Sequence, residues 1–89
     1  MAHLDHSSAV TIITALLQRE FPALRRIELA PSTPLLSAGL LDSFAVVTLI
    51  ASLEEAFHVE IDVDTTELES FESIDTIAAL IAKERGRSG

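Results

Sequence analysis

The segment from Ser43 to Phe57, SFAVVTLIASLEEAF, contains neither glycine nor proline and sets Val46, Ile50, Leu53 and Phe57 at i, i+4, i+7 and i+11. That spacing is one apolar stripe on a helix, and a stripe of this width must be buried against something. Two further segments repeat the pattern. From Ser7 or Ser8 as N-cap, Val10, Ile13, Leu17 and Phe21 share a face, and Pro22 closes the helix. Near the other end Ser73 caps a helix whose stripe is Ile74, Ile77, Ala78 and Ile81, with Lys83 and Arg85 in its last turn and Gly86 as its stop. Three such helices can bury their stripes only against one another. The 89 residues suffice for a single core.

The connections differ in kind. Residues 22 to 42 hold Pro31, Pro34 and Gly39 and read as a long first loop, a feature that in a compact domain tends to be functional. Its Leu24, Ile27, Leu29, Leu35, Leu36, Leu40 and Leu41 predict a loop pinned across the helices. From His58 to Asp64 acidic and apolar residues alternate, with Val59, Ile61 and Val63 on one side. A lone strand has no partner, so this is an extended connector burying that side, followed by a short helical turn near Glu67 to Ser70. The expected fold is all-α, three main helices plus one short one. The expected limits are a flexible N-terminus at 1–6, a domain at 7–85 and a flexible C-terminus at 86–89.

A hydrophobic fraction of 48% argues for a packed core despite a net charge of -8. There is no cysteine, which removes disulfides, thiolate metal sites and a cysteine nucleophile. With 14 acidic against 6 basic residues, nucleic acid and anionic membranes are repelled, while basic protein surfaces are attracted. The chain has neither a transmembrane-length apolar run nor a signal-peptide plan at Met1 to Ser8, so the expected location is cytoplasmic.

No catalytic constellation stands out. His3 and His6 fall in an expected frayed terminus, and His58 follows the second helix, where a cationic ring suits the negative end of the dipole. Glu60, Asp62, Asp64 and Glu67 gather carboxylates but lack the glycine and distal glutamate of a calcium loop, so no metal site is expected. Attention therefore falls on Asp42-Ser43-Phe44. Asp42 can cap the second helix, and Ser43 then lies in its first turn, where backbone N–H groups and the dipole favour an attached phosphate. No histidine lies near it in sequence and G-x-S-x-G is absent, which disfavours a serine hydrolase.

The stretch Thr33-Pro-Leu-Leu-Ser-Ala-Gly-Leu-Leu-Asp-Ser-Phe44, with Leu-Glu-Glu-Ala-Phe57 closing the second helix, resembles the acyl carrier protein and peptidyl carrier protein superfamily from about Val10 to Ile81. The resemblance implies a four-helix carrier bundle with 4′-phosphopantetheine covalently attached to Ser43, and with Asp42 and Phe44 as its neighbours in recognition. It also implies a free-standing, non-catalytic, monomeric carrier. Its cargo is a thioester on the arm's thiol, and its partners are a phosphopantetheinyl transferase, an acyl or aminoacyl ligase or transacylase, and a downstream synthase or transferase.

Two departures from the family pattern bear on the pathway. Phe44 stands where Leu or Met is usual, and Ala45 and Thr48 occupy positions that are often acidic in carriers of fatty acid synthesis. On the expected exposed side Phe44, Ala45, Thr48, Ala51 and Ser52 are uncharged and only Glu55 is acidic. Gly-Leu-Leu-Asp-Ser looks more like carriers served by adenylating ligases. The competing reading is a small helical adaptor whose apolar second-helix face docks in a protein groove, without a prosthetic group.

Overall fold

The computed structural model describes residues 5–88. Three α-helices make up the fold, α1 (His6–Glu20), α2 (Ser43–Phe57) and α3 (Ile74–Ser88), with single 3-10 turns at Pro22–Arg26 and Leu68–Phe71. No strand occurs among the described residues, so the all-α expectation holds. The turn at Leu68–Phe71 is the expected short helix. The one at Pro22–Arg26 lies in what the sequence presents as structureless loop.

Each α-helix starts on a polar side chain. Asp5, not Ser7 or Ser8, caps α1, its carboxylate accepting the Ser8 N–H at 2.8 Å. This carries His6 into the helix, where its Nε2 lies 2.9 Å from Asp75 Oδ1 at the start of α3. The frayed reading of His6 is thereby corrected, and His3 lies outside the described residues. Ser73 caps α3 reciprocally with Thr76, the Thr76 N–H donating to Ser73 Oγ at 3.2 Å and the Ser73 N–H to Thr76 Oγ1 at 3.0 Å. The pair does with threonine what a capping box does with glutamate.

The helix ends depart further from expectation. Gly86 does not stop α3, which continues to Ser88. No neighbour crowds Gly86, so nothing beyond its own flexibility opposes the helix there. At the end of α2, His58 adopts the left-handed conformation (φ 56°, ψ 48°) that usually falls to glycine. Both the His58 and Val59 N–H groups turn back to the Glu54 carbonyl. The role of His58 is thus a backbone closure. The charge near that helix end comes from Arg85, whose Nη1 donates to the Phe57 carbonyl at 3.3 Å.

The core forms where the three stripes meet. Ile13, Leu17, Leu49, Leu53, Ile74, Ile77 and Ile81 are almost wholly buried. Leu35 joins them from the first loop, and Phe57, Phe71, Leu24 and Leu41 close the margins. Val10, Phe21 and Ile50, expected inside, pack only partly against this core. In the first loop Leu29, Leu36 and Leu40 are half-buried and Ile27 is exposed. In the second connector Val59 and Ile61 are buried, and the Ile61 N–H reaches Glu54 Oε2 at 2.9 Å. Val63, expected on the same side, is 62% exposed. A turn intervenes, in which Asp62 Oδ1 accepts the Asp64 N–H at 3.0 Å and the Asp62 carbonyl accepts the N–H groups of Thr65 and Thr66.

Phe57 is 3% exposed at the end of the α2 stripe. Phe57→Ala removes an aromatic ring from a site closed by surrounding structure and should cost about 3–5 kcal/mol, a large share of the stability of a small domain. Thermal melting should show the variant partly unfolded at room temperature. A melting curve like that of the wild type would place the ring outside the core.

Candidate functional site

Ser43 is the first residue of α2 and is exposed, as are Asp42 and Phe44 on either side. The backbone of Asp42 is extended, and its Oδ1 accepts the Ala45 N–H at 2.8 Å, so the expected cap is formed. The serine hydroxyl therefore stands in the first turn of a helix, beside N–H groups that have no partner within the helix. That environment favours a phosphate ester. The negative charge of Asp42 opposes it, although this carboxylate is engaged with the helix end.

Beyond Asp42, the α2 face beside Ser43 is largely apolar. Phe44 is 87% exposed and Val47 67% exposed, with Thr48 and Ala51 also outward. Val47 belongs to this surface although the sequence reading passed over it. Ala45 and Ser52 are only half-buried rather than fully outward. A shallow groove of about 550 Å³ runs beside the serine, bounded by Phe21, Pro22 and Leu24 just past the end of α1 and by Gly39, Leu40 and Ala45, with Glu20 and Asp42 also lining it.

The chain reaches Ser43 through a tightly wound turn. The Leu40 and Leu41 N–H groups both donate to the Leu35 carbonyl at 2.9 Å, and the Gly39 N–H donates to the Leu36 carbonyl at 3.0 Å. Gly39 has φ 75°, which side-chain-bearing residues rarely adopt. No atom crowds the position where a Cβ would sit, so backbone conformation alone favours glycine there.

This turn is fastened to the start of α3 by Glu72, a contact that no sequence spacing signals. Glu72 Oε1 accepts the Leu36 N–H at 3.1 Å and the Ser37 N–H at 3.0 Å, while Oε2 accepts the Ser37 hydroxyl. The Glu72 carbonyl takes the Leu35 N–H at 2.5 Å, and the Asp75 N–H donates to the Pro31 carbonyl at 3.0 Å. The Ser37 hydroxyl, and then the Ser37 and Leu36 N–H groups, hold the Glu72 carboxyl below the usual range against the opposing effect of burial.

Other candidate features carry less. Among the described residues no group of three or more His, Asp or Glu side chains is placed to hold a metal ion. No helix among them is long and apolar enough to cross a membrane.

Because the carboxyl of Glu72 is easier to ionise when folded, its contribution is present above its unfolded value, about 4.3 for glutamate. It is lost as pH falls through the depressed folded value. In an acid titration followed by NMR, the Leu36 and Ser37 amide resonances should move with a midpoint below the ordinary glutamate value, and Glu72→Gln should abolish the step. A midpoint at the ordinary glutamate value would mean that the contacts do not persist in solution.

The chain matches the family model described as the phosphopantetheine attachment site over residues 11–82. No curated protein matches it. Proteins of that family carry 4′-phosphopantetheine covalently on a serine and are generally non-catalytic carriers. The match begins within α1, takes in the whole of the first loop and α2, and ends within α3, and by it the chain belongs to the phosphopantetheine-attachment-site family.

Proposed function

We propose that Ser43 is the attachment residue and that the protein holds an acyl or aminoacyl cargo as a thioester on the phosphopantetheine arm. The observation that carries the choice of serine is its position. Six serines fall within the matched residues, at 32, 37, 43, 52, 70 and 73. Ser73 is buried as a cap, Ser37 is bonded to Glu72, and Ser52 and Ser70 are half-buried. Ser32 is exposed in a turn, so Ser43 alone joins exposure to the first turn of an α-helix.

In the modification, a transferase takes the Ser43 proton, the oxygen attacks the pantetheine-bearing phosphorus of the coenzyme A pyrophosphate, and the P–O bond to 3′,5′-ADP breaks as 3′,5′-ADP leaves. The role of the protein here is presentation. The arm supplies a terminal thiol, which a chain without cysteine otherwise lacks. Asp42 fixes the start of the helix, and Phe44 offers an apolar contact beside the arm's root.

The uncharged α2 face around Phe44, Val47 and Thr48 favours a specialised pathway with an adenylating ligase over bulk fatty acid synthesis, where charge complementarity guides docking. Apart from Asp42 and Glu55, the exposed acids nearby lie off this face, with Glu60, Asp62, Asp64, Glu67 and Glu69 on the second connector and its following turn. They supply long-range steering that salt weakens.

Incubation with coenzyme A and a broad-specificity phosphopantetheinyl transferase should raise the intact mass by one phosphopantetheinyl group, and Ser43→Ala should remove the gain. An unchanged wild-type mass refutes the carrier reading, and a gain that survives in Ser43→Ala moves the attachment elsewhere. For the docking face, Val47→Glu combined with Thr48→Glu should lower loading by an adenylating ligase that accepts the wild type, while leaving the melting temperature within a few degrees because both side chains are exposed. Unaltered loading would show that the ligase docks on another face.

A further inference from the structure

We infer that Glu72 is a positioning residue for the modification of Ser43, acting through the wound turn at residues 35–41; the inference rests on Ser43 being the attachment site. Glu72 lies near in space to the turn but about 30 residues beyond the serine in the chain. Its side chain accepts three hydrogen bonds from Leu36 and Ser37, and its carbonyl accepts one from Leu35. The Leu35 carbonyl in turn accepts from both Leu40 and Leu41, and the next residue, Asp42, caps α2. A continuous run of short contacts thus joins the start of α3 to the serine.

The contacts divide the turn into parts of unlike stability. Leu35 and Leu41 are buried in the core and stay anchored by burial alone. Between them Ser37, Ala38 and Gly39 are exposed, and Glu72 provides the tertiary contact to this stretch through Ser37. Removing the carboxylate should therefore loosen the exposed residues while leaving the three helices packed. Loosening matters because the serine oxygen must line up with a phosphorus held in another protein, and small misplacements of a reacting group are costly in rate. If only a fraction of molecules present the serine correctly, the transferase sees a lower effective concentration of competent carrier, which raises KM and leaves kcat unchanged.

The experiment compares three variants of the full chain in transfer from coenzyme A by a broad-specificity phosphopantetheinyl transferase. Glu72→Ala should lower kcat/KM roughly tenfold or more, through KM. Glu72→Gln keeps an oxygen able to accept from the two N–H groups and should recover most of the loss. Arg85→Ala removes the bond to the Phe57 carbonyl at the far end of α2, about 20 Å along that helix from Ser43, and should lower the melting temperature without changing kcat/KM. In parallel, NMR order parameters of residues 39–43 should fall in Glu72→Ala and not in Arg85→Ala. Wild-type kcat/KM in Glu72→Ala overturns the inference, as does an equal loss in Arg85→Ala at matched destabilisation. Unchanged order parameters in Glu72→Ala overturn it too, and they do so even if the wild type takes up no arm, a result that would separately refute the proposed function.

Discussion

A long loop can hold one conformation only if its backbone polar groups find partners, because each one left dry and unpaired costs more than a typical hydrogen bond returns. In this protein the loop that leads to Ser43 buries Leu35 and Leu41 against the helices, but the backbone of the exposed stretch between them has no sheet ladder to join. Glu72 supplies what is missing, accepting from two successive N–H groups and a hydroxyl with one carboxylate. Bonds to an ionised acceptor are stronger than neutral ones, which suits a contact on a half-buried surface where water competes. The contact also works in the other direction, since the Pro31 carbonyl takes the Asp75 N–H from the first turn of α3. Loop and helix start therefore complete each other.

The same reciprocity governs the helix ends elsewhere. Asp5, Asp42 and Ser73 each satisfy an N-terminal N–H, and Arg85 reaches across from α3 to a carbonyl at the end of α2. With its helix ends satisfied locally, the core is left free to be almost purely apolar. Among the described residues the buried polar side chains are Ser73, the cap of α3, and Glu84 farther along the same helix.

Sequence periodicity made the helices legible because every stripe is set by neighbours three and four residues apart. Val46, Leu53, Phe57, Ile74, Ile77 and Ile81 all lie where that spacing places them. Asp42 was legible as a cap for the same reason, its partner being only three residues away. Errors collected where a local signal met a competing tertiary contact or backbone preference. Ser7 and Ser8 were both acceptable caps, but Asp5 extended the helix by two or three residues and let His6 meet Asp75. Gly86 looked like a stop, yet a glycine ends a helix only if the chain turns left-handed there, and α3 runs on. His58 took that left-handed role without the glycine that would have announced it. Glu72 was beyond reach because its partners lie about 35 residues earlier, and no spacing rule relates positions that far apart.

The exposed apolar face beside Ser43 sets a further requirement on the molecule as a whole. Phe44 and Val47 leave large side chains in water, forgoing roughly 25 cal/mol for each Å² of apolar surface that could be buried. That free energy becomes available when another protein covers them, which makes the face adhesive toward any complementary surface, a second copy of the chain included. The net charge of -8 opposes self-association, because two copies meeting through this face bring their acidic surfaces together. Acids on α2 beside Phe44 and Val47 would interrupt the apolar contact, and its one exposed acid, Glu55, lies two turns farther on; acids on the second connector leave the face intact while still repelling like molecules and drawing in basic ones. With Asp42 engaged as the helix cap, charge gathered mainly on the second connector lets an adhesive face coexist with repulsion between copies.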